Sequence, residues 1–199
     1  MAEIFSLDDI IGELTPKGLP DIAYYQYWKK YMERKIVINE EITPLIIESA
    51  CIPLMDWDND GTGEPIEIYL NTVGGEIYNG FALVDIIENL KTPTTIHILA
   101  HACSMGILIA IAGHNNPNVT TICHKFSVGL IHSGSQYMEG SFHAVKDTFN
   151  FSEAYERKIK EYILSHSNLT EETYAAIERK EYWIDSDTML SLGIVDKII

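Results

Sequence analysis

Residues 94–114, TTIHILAHACSMGILIAIAGH, pass from an alternating stretch into an unbroken run of small and apolar residues. TTIHILA (94–100) reads as a β-strand and the apolar run after Ser104 as a buried helix, so the segment is a strand feeding a helix through a small-residue turn. A similar unit precedes it. In IEIYLN (66–71), Ile66, Ile68 and Leu70 share one face and Glu67, Tyr69 and Asn71 the other. A Gly-Gly turn follows, and EIYNGFALVDIIENL (76–90) carries apolar residues at helical spacing until Lys91 and Pro93 stop it. Strands alternating with helices specify an α/β fold with largely parallel strands.

Working outward, KIVI (35–38) is a short strand and EITPLIIESACIPLM (41–55) has helical spacing. NVTTICHKFSVGLIH (118–132) gives one or two strands, and residues 141–166 form a long amphipathic helix with Phe142, Val145, Phe149, Ala154, Ile159 and Ile163 among its apolar positions. Thr170 can N-cap the helix EETYAAIERK, with Glu171 and Glu172 in its first turn. YYQYWKKYMER (24–34) mixes aromatic and basic residues without a clear period, and residues 1–20, with two prolines, read as an arm. The 199 residues fit one domain.

Composition narrows the function. With 46% hydrophobic residues the chain can build a core, and no run of eighteen uncharged apolar residues is present to span a membrane. MAEIFSLDDIIGEL carries acids where a targeting segment needs basic residues, so a soluble, cytoplasmic protein is expected. Three cysteines without CxxC spacing (Cys51, Cys103, Cys123) point to reduced thiols rather than a disulfide or zinc framework. A net charge of -15 repels phosphate backbones and acidic lipid surfaces, so neither nucleic acid nor membrane is an expected partner.

Ser104 stands at a strand-to-helix turn, where free backbone N–H groups and the positive end of the helix dipole can stabilise an oxyanion. The Met105 amide follows the candidate nucleophile, and the Gly75 amide of the other Gly-rich turn, NTVGGE (71–76), is a second donor. His132 ends the apolar strand of SVGLIHSG and is the candidate base. His97 and His101 share a strand face but have no nearby acid in sequence, and they read as structural, like His114, His124, His143 and His166. Cys103, next to Ser104, reads as a core residue. Asp56, Asp58, Asp60, Gly61, Glu64 and Glu67 of DWDNDGTGEPIE occupy the main positions of a calcium-loop template. Against it, Pro65 and the IEIYLN strand stand where the second flanking helix belongs, and the bland alternative is a solvated acidic turn.

YLNTVGG, HACSMG with AG a few residues on, LIH and the terminal LGIVDKII resemble, in the same order, the motifs YINSPGG, AASMG, MIHQP and YGLIDEII of the Clp protease proteolytic subunit family. The resemblance covers roughly residues 34–199. It implies a ClpP/crotonase-type fold of repeated β-β-α units, a handle helix at 141–166, and a serine endopeptidase with Ser104 as nucleophile, His132 as base and the Gly75 and Met105 amides as oxyanion donors. It also implies a homo-oligomer of stacked rings, heptameric in the family, fed with unfolded protein by a Clp-type ATPase that uses the ATP, with no cofactor in this chain. Counting back from LGIVD places Glu181 at the family's catalytic aspartate, with Asp185 a second candidate acid; the adjacent Lys180 leaves a Ser-Lys pair as a remote alternative. NTVGG lacks the family proline, and LIHSGSQYMEG replaces the stretch after the family's histidine. These departures keep two rivals open: a catalytically impaired scaffold or regulatory subunit, and a crotonase-type acyl-CoA enzyme.

Overall fold

A computed structural model describes residues 21–199; the expected arm at 1–20 lies outside them. In chain order the elements are α1 (Ile22–Met32), β1 (Lys35–Ile38), a π-helical turn (Ile47–Cys51) running into α2 (Ile52–Asn59), β2 (Ile66–Thr72), α3 (Ile77–Glu88), β3 (Thr94–Cys103) and α4 (Met105–Ala110). Then come β4 (Val119–Cys123), β5 (Val128–Ile131), α5 (Phe142–Ser165), α6 (Glu171–Ile177), β6 (Tyr182–Asp185), α7 (Ser186–Ser191) and β7 (Lys197–Ile198). This is the expected α/β architecture with a parallel-dominated sheet.

β1, β2, β3, β4 and β7 are neighbours in that order and pair in parallel. β3 forks the sheet. Its first half, Thr94–Ile98, pairs with Val119–Cys123 of β4, while His101–Cys103 pair with Val128–Leu130 of β5. β6 then pairs antiparallel with β5. The fork leaves the ends of β3 and β5 side by side, where a strand gives way to a helix.

The alternation read in IEIYLN continues one step further: Ile66, Ile68, Leu70 and Thr72 are all buried. Leu83, Val84 and Ile87 of α3 and Ile107 and Ile109 of α4 join these residues, Ile96 and Ile98 in one core. Each such side chain removed from water stabilises the fold by about 1.5–3 kcal/mol. In α5 Ile163 alone is buried, and Phe142, Phe149 and Phe151 are exposed. The C-terminal half of α5 packs on α3 through aromatic edges, with Phe81 5.9 Å from Tyr155 and 5.5 Å from Tyr162. No described helix is long and apolar enough to cross a membrane.

Some boundaries moved. The helix expected at 41–55 instead runs from the π-helical turn to Asn59, because Pro53 fits a first helical turn and nothing stops the chain before Asp60. The aromatic stretch is itself a helix, α1, whose N-cap Asp21 accepts the Ala23 amide at 2.9 Å. The apolar run after Ser104 is helical for only six residues.

The acidic segment does not gather into a calcium loop. Asp56 and Asp58 lie on α2 and Glu67 on β2, and no group of three or more His, Cys, Asp or Glu is placed to hold a metal among the described residues. Asp58 accepts the Lys91 and Thr92 amides, each at 2.9 Å, and Glu67 accepts the Tyr69 hydroxyl. Asp60 pairs with Arg34, whose guanidinium also donates to the Trp57 carbonyl at 2.9 Å and lies over the Trp57 ring. Of the acids in this segment, Asp60 is thus paired with an arginine of its own chain.

These contacts set an acid limit on stability. Burial pushes the Asp58 carboxyl up, but the Thr92 and Lys91 hydrogen bonds outweigh it and hold the carboxyl below its ordinary value. Backbone and hydroxyl bonds from Thr62 lower Asp60, and Thr188 lowers Asp185. A carboxyl depressed in the folded state stabilises it fully above its unfolded value, about 4, and that contribution disappears as pH falls through the folded value. The share of the urea midpoint that these carboxyls contribute is therefore expected to be lost as pH falls below about 4, with Asp58→Asn flattening that drop.

Candidate active site

Ser104 is the N-cap of α4, with φ 54 and ψ -119. Among the described residues only Arg34 and Ser104 are non-glycine residues with positive φ. Such a conformation costs on the order of 1–3 kcal/mol and persists only where the surroundings enforce it. Here the Ser104 amide donates to the Leu130 carbonyl at 2.8 Å, and buried Cys103 and Met105 anchor the two flanks. A sharp strand-to-helix turn of this kind presents a serine hydroxyl outward, the geometry of a nucleophile elbow. The neighbouring Cys103 is buried and its thiol is pushed up by burial, so it stays protonated and packs in the core.

The Gly74–Gly75 turn lies against this elbow. A Cβ on Gly74, whose φ is +97, would stand 2.7 Å from the Ser104 Cβ and 3.0 Å from the Met105 nitrogen. Among the described residues neither the Gly75 nor the Met105 amide has a protein acceptor. The Gly74 carbonyl accepts from Ile42 at 2.7 Å. Because a trans peptide sends its C=O and N–H to opposite sides, the Gly75 N–H points away from Ile42. The Met105 amide next to the serine and the Gly75 amide of the abutting turn are thus both unengaged, a precondition for oxyanion donors. Gly74→Ala, strained by its φ and by the 2.7 Å contact, should lower kcat/KM by roughly 10²-fold or more at unchanged assembly, read in a peptide hydrolysis assay.

The strand ladders bring the remaining candidates in. His132 directly follows β5, one residue beyond Ile131, and is half-buried. In the antiparallel ladder Leu130 pairs with Trp183 and Ile131 with Tyr182. The ladder ends there, with His132 following Ile131 on one strand and Glu181 preceding Tyr182 on the other. Asp185 pairs with Val128 at the other end of β6, roughly 13 Å along the strand from Glu181. Its carboxylate caps α7 by accepting the Thr188 amide at 2.8 Å. Lys180 closes the turn after α6, its amide on the Ile177 carbonyl. Neither Ser104 Oγ nor the His132 ring makes a hydrogen bond among the described residues, a looseness common in sites without substrate.

The structure also places residues that the sequence reading passed over. Thr72 lies buried behind the Gly-Gly turn, and Glu40 and Ile42 accept hydrogen bonds from Thr72 and Glu76. The signal was a polar residue on the core face of an alternating strand. His97 stacks on Tyr69 at 4.8 Å and burial lowers its basicity, in keeping with a structural histidine.

The Clp protease family profile matches residues 21–199, nearly the whole chain and all of the elements above. The chain belongs to the Clp protease family. Curated relatives agree. An ATP-dependent Clp protease proteolytic subunit of Streptococcus gordonii is 26% identical over 199 aligned positions, covering 96% of this chain and 95% of the relative. One from Deinococcus radiodurans is 22% identical, covering 99% and 94%, and the proteolytic subunit 2 of Treponema pallidum is 23% identical, covering 87% and 86%. Within this family fold, the Gly74–Gly75 turn lies against the Ser104 elbow, and His101–Cys103 just before it pair with β5, the strand that His132 follows.

Proposed function

We propose that this Clp family member is a serine endopeptidase that cleaves unfolded polypeptides. The observation that carries the reading is Ser104 held at positive φ at the β3–α4 junction with the Gly74–Gly75 turn against it. Ser104 Oγ attacks the scissile carbonyl as its proton passes to the His132 ring. The Gly75 and Met105 amides hold the oxyanion, and the intermediate collapses as His132 returns the proton to the leaving amine. Water then attacks the acyl carbonyl as it gives a proton to His132, and His132 passes that proton to Ser104 Oγ as the ester bond breaks and the carboxylic acid product leaves. Glu181, which precedes β6 as His132 follows β5, orients the ring and stabilises its cation.

The assembly is part of the same proposal: stacked rings of identical subunits joined through α5, supplied by a Clp-type ATPase in the cytoplasm. The ATPase uses the ATP, and this chain carries no cofactor. The aromatic residues left exposed on α5 support a contact between copies, since that helix buries only Ile163 on its own chain. The test is hydrolysis of a fluorogenic peptide by the purified protein, sized in the same preparation, with and without a Clp ATPase. Turnover by an oligomer supports the proposal, and an oligomer inert under both conditions leaves the scaffold role standing instead.

A further inference from the structure

Thr72 is the last residue of β2 and 1% exposed, on the face that Ile66, Ile68 and Leu70 give to the core. A hydroxyl at such a place is unfavourable unless both its donor and its acceptor capacity are used. Both are used here, and on the same turn. Thr72 Oγ1 donates to the Glu40 carbonyl at 2.6 Å and accepts the Gly74 amide at 3.1 Å. Beside it, Ile42 N–H donates to the Gly74 carbonyl at 2.7 Å and Glu76 N–H to the Ile42 carbonyl at 2.8 Å. The Thr72 methyl reaches the other half of the site, lying 2.8 Å from where a Cβ on Gly106 would stand, in the first turn of α4.

We infer that Thr72 is a positioning residue for the oxyanion pocket, its hydroxyl bracing the Gly74–Gly75 turn against residues 40–42. The inference rests on the peptidase reading above for its catalytic part alone. The Gly74 N–H is fixed by Thr72 and the Gly74 carbonyl by Ile42, so both peptide planes leading to the Gly75 N–H are held before substrate arrives. A donor held in place needs no reorganisation in the transition state, whereas a loose one loses most of its effect. Valine has the shape of threonine without the hydroxyl. It would leave the Gly74 N–H and the Glu40 carbonyl unpaired and let the turn drift.

The experiment compares Thr72→Val and Thr72→Ser in the full-length protein by kcat and KM for a peptide substrate and by amide hydrogen exchange across residues 73–76. Thr72→Val is expected to lower kcat by about 10- to 100-fold with KM within about threefold, and to speed exchange in the turn. Thr72→Ser, which keeps the hydroxyl, should restore both. A folded Thr72→Val protein with wild-type kcat and exchange overturns the inference. So does a Thr72→Ser protein as impaired as the valine variant, since methyl packing would then be the cause. Faster exchange in Thr72→Val, alongside a wild-type protein that hydrolyses no peptide, supports the brace and sinks the peptidase reading, so the two failures are distinct.

Discussion

On the proposed mechanism Ser104→Ala is expected to abolish peptide hydrolysis, lowering kcat by roughly 10⁴- to 10⁶-fold while KM, the oligomeric state and the urea midpoint stay close to wild type. The split follows from where the side chain sits. Ser104 Oγ has no protein hydrogen bond among the described residues, so removing it costs the fold no contact. What remains is an elbow with its two amides, and an oxyanion pocket with substrate binding still gives a residual rate well above that in water. Alanine at this position keeps the strained backbone, and so the Gly75 and Met105 donors. Steady-state kinetics on the assembled variant separates this outcome from simple misfolding. A variant retaining a tenth of the activity would move the nucleophile elsewhere.

The second large effect distinguishes the two acids. On the proposed mechanism Glu181→Gln should lower kcat by about 10²- to 10⁴-fold, because the β5–β6 register, continued one step beyond Ile131 and Tyr182, runs to Glu181 and His132, and a carboxylate there would orient the ring and stabilise its cation. Asp185→Asn should leave the rate of acylation unchanged. Asp185 lies at the other end of β6 and accepts the Thr188 amide, a cap that asparagine also provides, so the urea midpoint should move little as well. Glu181→Asp is informative in the same series: one methylene shorter, it shows whether the glutamate's longer reach suits this site. Rate loss in Asp185→Asn with normal kinetics in Glu181→Gln would reverse the assignment.

Much of this was legible in the residues. The two strand–turn–helix units at 66–90 and 94–110 declare themselves because alternation changes to helical spacing across a turn of small residues, and such turns admit few other conformations. The same two turns carry Ser104, Gly75 and Met105, so half of the candidate site could be read with the fold. His132 was legible as a histidine ending an apolar strand, and Glu181 only through the family resemblance: the two are 49 positions apart, and neither segment by itself declares the β5–β6 pairing that runs toward them. β6 is four residues long with no clean alternation, and its pairing is a tertiary fact.

The acidic segment misleads for a related reason. A template of spaced carboxylates takes no account of backbone, and here α2 extends through Asn59 while Arg34, distant in sequence, reaches in to pair with Asp60. α1 was hidden by aromatic residues that bury no single face, although Asp21 was available as its N-cap and Lys29 and Lys30 sit in its last turn. Thr72 was the one missed residue with a local signal.

The central claim is that Ser104 is an activated nucleophile, and the most direct measurement is intact-mass analysis after treatment of the assembled protein with a fluorophosphonate. A single adduct per chain is expected, mapped to Ser104, absent in Ser104→Ala and strongly slowed in His132→Ala. An assembled protein that takes up no adduct, with or without a Clp ATPase, or that carries it on a residue other than Ser104, would contradict the claim.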